Sequence, residues 1–340
     1  MQTPWATIPM NPPGLLLLQL GTPDHPDTPS VRKYLAEFLS DPMVVDLPRF
    51  YWLPILHGVI LRTRPKKSAR LYQKIWCDNG LSPLLHHSQT LTAAIAHHFG
   101  ATLTTRLAMR YGRPDLEETL REFQRLGVER LLVLPLFPHY SGATTGSGIA
   151  RIFQILSRFI PIPTLRIIPP FHDHPGYIQS LAQRIHTQGA STPERHYLFS
   201  FHGLPLGHVR RGDPYPRHCA TTAELLAQAL SLKKDRWTLA YQSRFGRDEW
   251  LSPNTATLLA TLPKKGITDL TVVCPGFVAD CLETLEEIAI SGQKEFIRHG
   301  GRTFHFVPCL NDFPPWIAAL TRIIEDELKG WMPDSNPTSL

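Results

Sequence analysis

The stretch GLLLLQL, residues 14–20, constrains the fold more than any other. It has the length of a strand and is apolar without alternation, and Gly21, Thr22 and Pro23 end it. A strand buried on both faces belongs to a parallel sheet with helices on either side. Strand patterns recur at 103–109, 131–137, 196–201, 237–241, 269–274 and 303–307. Helical patterns fill the intervals at 30–39, with Ser30 as N-cap, and at 83–98, 115–125, 221–230, 253–262, 277–290 and 315–329. Strand alternating with helix throughout is the mark of doubly wound parallel sheets. At 340 residues the chain is too long for one comfortable core. The reading is therefore α/β, with two similar doubly wound parallel-sheet (Rossmann-like) domains at 10–170 and 171–330. PIPTLRIIPPF (161–171) joins the two series, and the cleft between them is the default binding site.

Composition excludes several classes. Apolar residues make up 42% and charged residues 19%, which is ordinary for a globular chain. A formal charge of +6 suits an anionic ligand or an acidic membrane surface. No Lys/Arg-rich run with interleaved aromatics suggests a nucleic-acid face. The five cysteines, Cys77, Cys219, Cys274, Cys281 and Cys309, are scattered with no C-x-x-C, so neither disulfides nor a structural zinc is expected and a reducing cytoplasm fits. MQTPWATIPMNPPG has no basic segment leading an apolar core, so no signal peptide is expected. No apolar run reaches the ~18–20 residues that span a bilayer. The tail WMPDSNPTSL is expected to fray.

Two constellations carry chemistry. In DLTVVCPGFVADCLETLEEI (269–288) a buried strand, a Pro-Gly turn and a helix follow one another. On an α-helix of about 100° per residue, Asp280, Glu283 and Glu287 share a stripe, with Glu286 at its edge. A solvated acidic face is the plain alternative. Against it, no Lys or Arg lies between Asp280 and Ser291 to serve as an i,i+4 partner. The stripe also begins just past a strand's carboxyl end, where open α/β sheets place ligands. An unpaired acidic row there would seat or conduct a cation. The second constellation is SFHGLP (200–205): His202 ends a strand and Gly203 follows, a better than usual setting for a base or ligand.

FYWLPILHGVIL (50–61) reads equally as a kinked buried helix or as an apolar lip for a greasy substrate or a membrane surface. RTRPKKSARLYQK (62–74) follows with six cations and no acid. Lip and cations together suit an amphiphilic ligand with an apolar body and carboxylates. SGATTGSG (141–148) is a small-residue loop able to hold an anion at a helix N-terminus, but lacks the Gly-Lys-Ser/Thr of a nucleotide loop. His172 and His174 form a lone H-x-H, more plausibly structural than metal-binding.

GLLLLQLGTP, FLSDPMVVD, LSPL, FPHYSGATTGS, SFHGLP, GDPYP, YQSRFGRDEWLSP and CPGFVADCLETLEE occur in this order from residue 14 to beyond 280. Together they resemble the ferrochelatases, especially proteobacterial ones, along nearly the whole chain. The resemblance implies a lyase-type metal chelatase that inserts Fe²⁺ into protoporphyrin IX to form protohaem. It implies that His202 and Glu283 are the catalytic and metal-site residues and that Asp280 and Glu287 line a metal or proton path. Leu20, Arg64, Lys67, Tyr72, Ser82 and Trp250 match porphyrin-facing positions, Arg64, Lys67, Tyr72 and Ser82 on a lip at about 48–82. Coproporphyrin-using relatives carry tyrosine where this chain has Leu20, which argues for protoporphyrin. Animal relatives bind a two-iron cluster through four thiolates. Their internal cysteine falls near Gly142, and no cysteine follows Cys309, so no iron-sulfur cluster and no cofactor beyond the Fe²⁺ substrate is expected. A cytoplasmic monomer or weak dimer, with peripheral membrane contact at most, completes the expectation. The competing readings are a chelatase that loads cobalt or uses coproporphyrin, and a non-catalytic tetrapyrrole or metal carrier.

Overall fold

The computed structural model describes residues 11–189, 195–246 and 248–331. The N-terminal ten residues and the tail from 332 lie outside the described residues, and with them most of what was read from the two termini. Strand β1 (Gly14–Thr22) leads into helices α1 (Thr28–Leu39) and α2 (Arg49–Ile55). A π-turn at Leu56–Ile60 carries α2 directly into α3 (Leu61–Gln73), and α4 (Pro83–Phe99) follows. Then come β2 (Thr104–Gly112), α5 (Leu116–Arg125), β3 (Arg130–Pro135), α6 (Ser147–Leu156) and β4 (Thr164–Ile167). Helix α7 (Pro175–Thr187) opens the second half, followed by β5 (His196–His202), α8 (Leu206–Arg210) and α9 (Tyr215–Ala229). Strand β6 (Trp237–Gln242), α10 (Thr255–Thr261) and β7 (Asp269–Val273) precede a π-helix at Leu282–Gly292. The chain continues through α11 (Gln293–Arg298), β8 (Thr303–Val307) and α12 (Pro314–Glu327).

The strands form two four-stranded parallel sheets, ordered β2-β1-β3-β4 and β6-β5-β7-β8, so the second half repeats the first. In each sheet the order reverses beside its first strand, β1 or β5. That is the topological switch point, where open α/β sheets bind ligands outside the carboxyl ends of their strands. Leu20 and His202 lie at those ends.

The apolar run behaves as its composition requires: Leu15, Leu16, Leu17 and Leu18 are all fully buried. Leu16 and Leu18 pack with Leu116, Leu120 and Ile152 on one face. Leu15 and Leu17 pack on the other, in a core that also holds Leu91 and Ile95 of α4, Tyr197, Phe199 and Phe201 of β5, and Trp316 and Leu320 of α12. The two sheets therefore share one apolar core along part of their length.

Several elements differ from the sequence reading. Asp27, not Ser30, caps α1, its carboxylate accepting from the Ser30 N–H at 2.8 Å. Residues 164–167 are an edge strand inside the stretch read as a joint. Proline on both sides and partial exposure hide it, as edge strands tolerate. Pro175-Gly176 starts α7, with His174 as its N-cap accepting from the Gly176 N–H at 3.1 Å, a structural part for this histidine. The SGATTG loop is a π-turn, and its anion is supplied by the chain itself. Ser141 Oγ and the Gly142 N–H donate to Asp213 Oδ2 at 3.0 and 2.8 Å, while the Tyr215 N–H donates to Oδ1 at 3.0 Å. One carboxylate thus ties the first half to α9.

Beside this tie three imidazoles sit together. Thr222 gives its hydroxyl proton to the His172 carbonyl at 2.6 Å, so His139 must donate through Nε2 to Thr222 Oγ1 at 2.8 Å. His218 Nδ1 accepts from the Tyr140 N–H at 3.2 Å, and its ring stacks on His172 at 3.8 Å. Burial lowers the pKa of all three, that of His218 to about 4.

Two outcomes follow. Asp213→Ala, which removes two charge-assisted hydrogen bonds between the halves and a third to the start of α9, should destabilise the protein by about 2–4 kcal/mol in urea unfolding, and Asp213→Asn by less. For the histidines, the folded pKa lies below the ordinary ~6.5, so the unfolded chain binds more protons as pH falls from ~6.5 toward 4. Stability should be flat above that window with respect to these groups and fall within it, and the fall should shrink in His218→Gln; urea midpoints at pH 7 and pH 5 check both.

Candidate active site

His202 is the last residue of β5 and pairs with Gln242 at the end of β6. The Gly203 N–H donates to the Gln242 carbonyl at 2.8 Å. A Cβ at residue 203 would stand 2.7 Å from that oxygen and 3.0 Å from the Trp250 ring, so the close exit of β5 requires glycine. The geometry also selects a tautomer. His202 Nδ1 lies 2.6 Å from the Gly203 carbonyl oxygen, which can only accept, so Nδ1 carries the proton and Nε2 keeps a lone pair.

Opposite it stands the acidic segment, arranged differently from an α-helical wheel. After β7 the chain turns, with the Phe277 N–H donating to the Cys274 carbonyl at 3.1 Å, and the helix begins only at Leu282. It is a π-helix, bonded i to i+5, so the i, i+3, i+7 spacing does not define a stripe. Asp280 lies outside it and is 3% exposed. Its carboxylate accepts from Thr284 Oγ1 at 2.9 Å, Asn311 Nδ2 at 2.7 Å and the Cys309 N–H at 3.2 Å. Asp280 therefore brackets the helix start to the loop after β8 and is occupied in that task. Cys281 caps the helix, its N–H donating to Thr284 Oγ1 at 3.0 Å, and burial holds its thiol protonated.

The remaining acids have separate surroundings. Glu287 accepts from Ser243 N–H at 2.7 Å and Ser243 Oγ at 2.5 Å. Ser243 adopts φ +63 to do so, the left-handed region that a non-glycine enters only when held there. Desolvation raises the Glu287 pKa, opposed by those hydrogen bonds and by nearby His202, and Glu283 raises it further. The Glu283 backbone carbonyl accepts from Gln242 Nε2 at 2.7 Å. Its carboxylate is near enough to Arg64, Tyr34, Tyr72 and Cys281 to perturb each of them. Glu286 was read as lacking a partner, but it bonds Lys74 Nζ at 2.7 Å and Ser291 Oγ at 3.0 Å. The partner is remote in sequence, which is why local spacing could not find it.

The lip helices α2 and α3 share with α1 a core of Val31, Tyr34, Leu35, Leu56, Leu61 and Tyr72, against which Leu20 of β1 and Leu282 of the π-helix also pack. Asp41 anchors the end of α1 by accepting from Tyr111 Oη at 2.8 Å and Ser147 Oγ at 2.6 Å. Residues 50–61 divide between buried and exposed positions. Leu56 is buried, while Phe50, Tyr51, Ile55 and Val59 are exposed at 72, 64, 46 and 56%. Arg64 lies over the Phe245 ring, 5.2 Å from its centroid. Although much of the Arg64 side chain is open to solvent, surrounding protein desolvates the guanidinium and lowers its pKa, with Glu283 acting the other way. Lys67 is exposed on the same helix. Burial pushes the Tyr72 hydroxyl pKa well up. Trp250 is buried beside Phe245, 5.3 Å between centroids, and its indole N–H has no partner among the described residues.

Ser82 stands apart in role: it is 1% exposed and its hydroxyl caps α4, accepting from the Leu85 N–H at 3.2 Å. His202, Glu283 and Glu287 are brought together with Arg64, Tyr72 and Leu20 around the lip. Tyr34, Gln242, Ser243 and Phe245 were not singled out from sequence. Three of them lie in YQSRF (241–245), directly after a strand and next to an aromatic, which was the available signal.

A ferrochelatase family model matches residues 12–328. The ferrochelatase of Marinobacter nauticus is 46% identical over 333 residues, covering 96% of this chain and 90% of that protein. That of Nitrosococcus oceani is 48% identical over 324 residues, 94% of this chain and 87% of the relative. Among solved structures, SirB of Bacillus subtilis with Fe³⁺ superposes with a TM-score of 0.59 over 94% of this chain and 98% of its own, at 12% identity. The same protein's sirohydrochlorin chelatase structure in complex with cobalt gives 0.56. At that identity the likeness is one of fold, two similar parallel-sheet domains. The match along the chain, with repeated parallel sheets and a histidine at the end of β5 beside half-buried glutamates, places this chain in the ferrochelatase family.

Proposed function

We propose that the cleft under the lip binds protoporphyrin IX, and that His202 and Glu283 carry out its metallation with Glu287 as proton exit. Ferrochelatases insert ferrous iron into a porphyrin in haem biosynthesis, and two pyrrole protons must leave as the metal enters. The observation that carries the assignment is the His202 tautomer: Nδ1 is committed to the Gly203 carbonyl, so Nε2 is the free base. It sits beside Glu287, whose raised pKa suits a carboxyl that accepts a proton and passes it on. Glu283 offers an anion to ferrous iron or to a proton, next to the lip. Among the described residues no three His, Cys, Asp or Glu side chains converge as a metal cage. Partial ligation of this kind suits an ion handed on to the porphyrin nitrogens.

The lip supports the porphyrin reading. Leu20, Tyr72 and Trp250 offer apolar surface, and Arg64 and Lys67 offer cations for propionates at the macrocycle edge. Asp280 and Ser82 support this arrangement from outside, as bracket and helix cap. Leu20 rather than tyrosine favours protoporphyrin over coproporphyrin. No helix among the described residues is long and apolar enough to cross a membrane. Exposed Phe50, Tyr51 and Val59 beside the basic face of α3 support peripheral contact with a membrane surface, by a cytoplasmic monomer or weak dimer. The reading includes no iron-sulfur cluster.

His202→Ala should keep porphyrin binding and lower anaerobic iron insertion by ~10²–10⁴-fold; retention of more than about a hundredth of wild-type turnover would remove the base role. Glu283→Gln should abolish most turnover, whereas Glu287→Gln should leave a measurable rate with a raised iron requirement. Full activity in Glu283→Gln returns the acidic segment to a merely structural part. With the wild type, kcat/KM for protoporphyrin should exceed that for coproporphyrin by about tenfold or more, a difference of ~1.4 kcal/mol in transition-state binding. The reverse order would overturn the substrate assignment.

A further inference from the structure

The six cations of the lip are not equivalent. Lys74 is the C-cap residue of α3, and its ammonium meets a carboxylate from the other half of the molecule. The pair is asymmetric: the Glu286 side chain is 8% exposed and that of Lys74 46%. Ser291 donates to the same Glu286 oxygen, so this buried carboxylate is held from both sides. Four residues earlier on the π-helix, Leu282 packs against the lip core that contains Tyr34 and Tyr72. One end of α3 is thus fastened to the π-helix by an ion pair and an apolar contact. Ten residues away, roughly 15 Å along the helix, Arg64 rests on Phe245 through an exposed cation–π contact, which is weaker and easily released.

We infer that Lys74 and Glu286 form a positioning pair, a pivot that sets the lip over the acidic π-helix, and that Lys74 is not a substrate contact. The inference rests on the cleft being the porphyrin site. The Arg64 end is the one that opens to admit a macrocycle, and the Lys74 end keeps Arg64 in register with Glu283 when it closes. Loosening the pivot lowers the fraction of molecules whose lip is competent to bind. Apparent affinity then falls by that fraction, while a porphyrin once bound reacts at nearly the normal rate.

Lys74→Met, Glu286→Gln, their double variant and Lys74→Arg are compared by protoporphyrin quenching of tryptophan fluorescence, anaerobic iron-insertion kinetics and thermal unfolding. Each single variant should raise the protoporphyrin KM and Kd about tenfold with kcat within about threefold, and the double should be no worse than either single. Lys74→Arg should stay near wild type. A rise in KM for Lys74→Met with none for Glu286→Gln would make Lys74 a direct substrate contact and overturn the pivot. Unchanged KM in both, or additive losses in the double, would overturn it too. If the single variants fold poorly, the charge-swapped Lys74→Glu/Glu286→Lys protein should regain the KM lost in Lys74→Glu alone; failure to regain it counts against the pair. Wild-type quenching is measured first, so absence of protoporphyrin binding there marks failure of the cleft assignment rather than of the pivot.

Discussion

Three carboxylates on one partly buried helix repel one another, and burying such charges is costly unless they are paired. The site depends on how this is absorbed. Glu287 is taken by Ser243 at the end of β6, Glu286 by Lys74 of the lip, and Glu283 looks toward Arg64 and two buried tyrosines. Each acid is answered by a different element, so the π-helix is held by several parts of the molecule at once. Asp280 adds a fourth hold at the helix start through Asn311 and Cys309. The bonding i to i+5 is maintained by these ties, consistent with π-helices persisting where function requires them.

The same logic explains the surroundings of His202. Gly203 lets β5 leave close against β6, and Gln242 then reaches from β6 to the carbonyl of Glu283. His202 and the acidic helix are thereby indexed to one sheet edge rather than to flexible loops. Rigid placement matters because proton transfer is effective only within hydrogen-bond reach. The lip, by contrast, is a separate packed unit with exposed aromatics on its outer side. It joins the second half at the π-helix and at Phe245. A fixed sheet edge under a more lightly fastened lip is the arrangement that the proposed binding of a large, flat, amphiphilic substrate would use.

The sequence by itself determined the α/β class, because a run such as 14–20 can bury both faces only in a parallel sheet. It also determined that His202 ends a strand beside Gly203, since apolar run, histidine and glycine are adjacent in the chain. Tertiary structure decided what local spacing cannot carry. Lys74 meets Glu286 across 212 residues, and Asp213 reaches the 141–142 loop across 71. It decided that Asp280 braces rather than faces the cleft, because a wheel drawn at 3.6 residues per turn assumes an α-helix from 277, where the packing sets a π-helix that begins five residues later at Leu282. It decided, finally, which cations of the lip stay free: charge is written in the sequence, but whether a charge is already spent depends on what the fold brings opposite it.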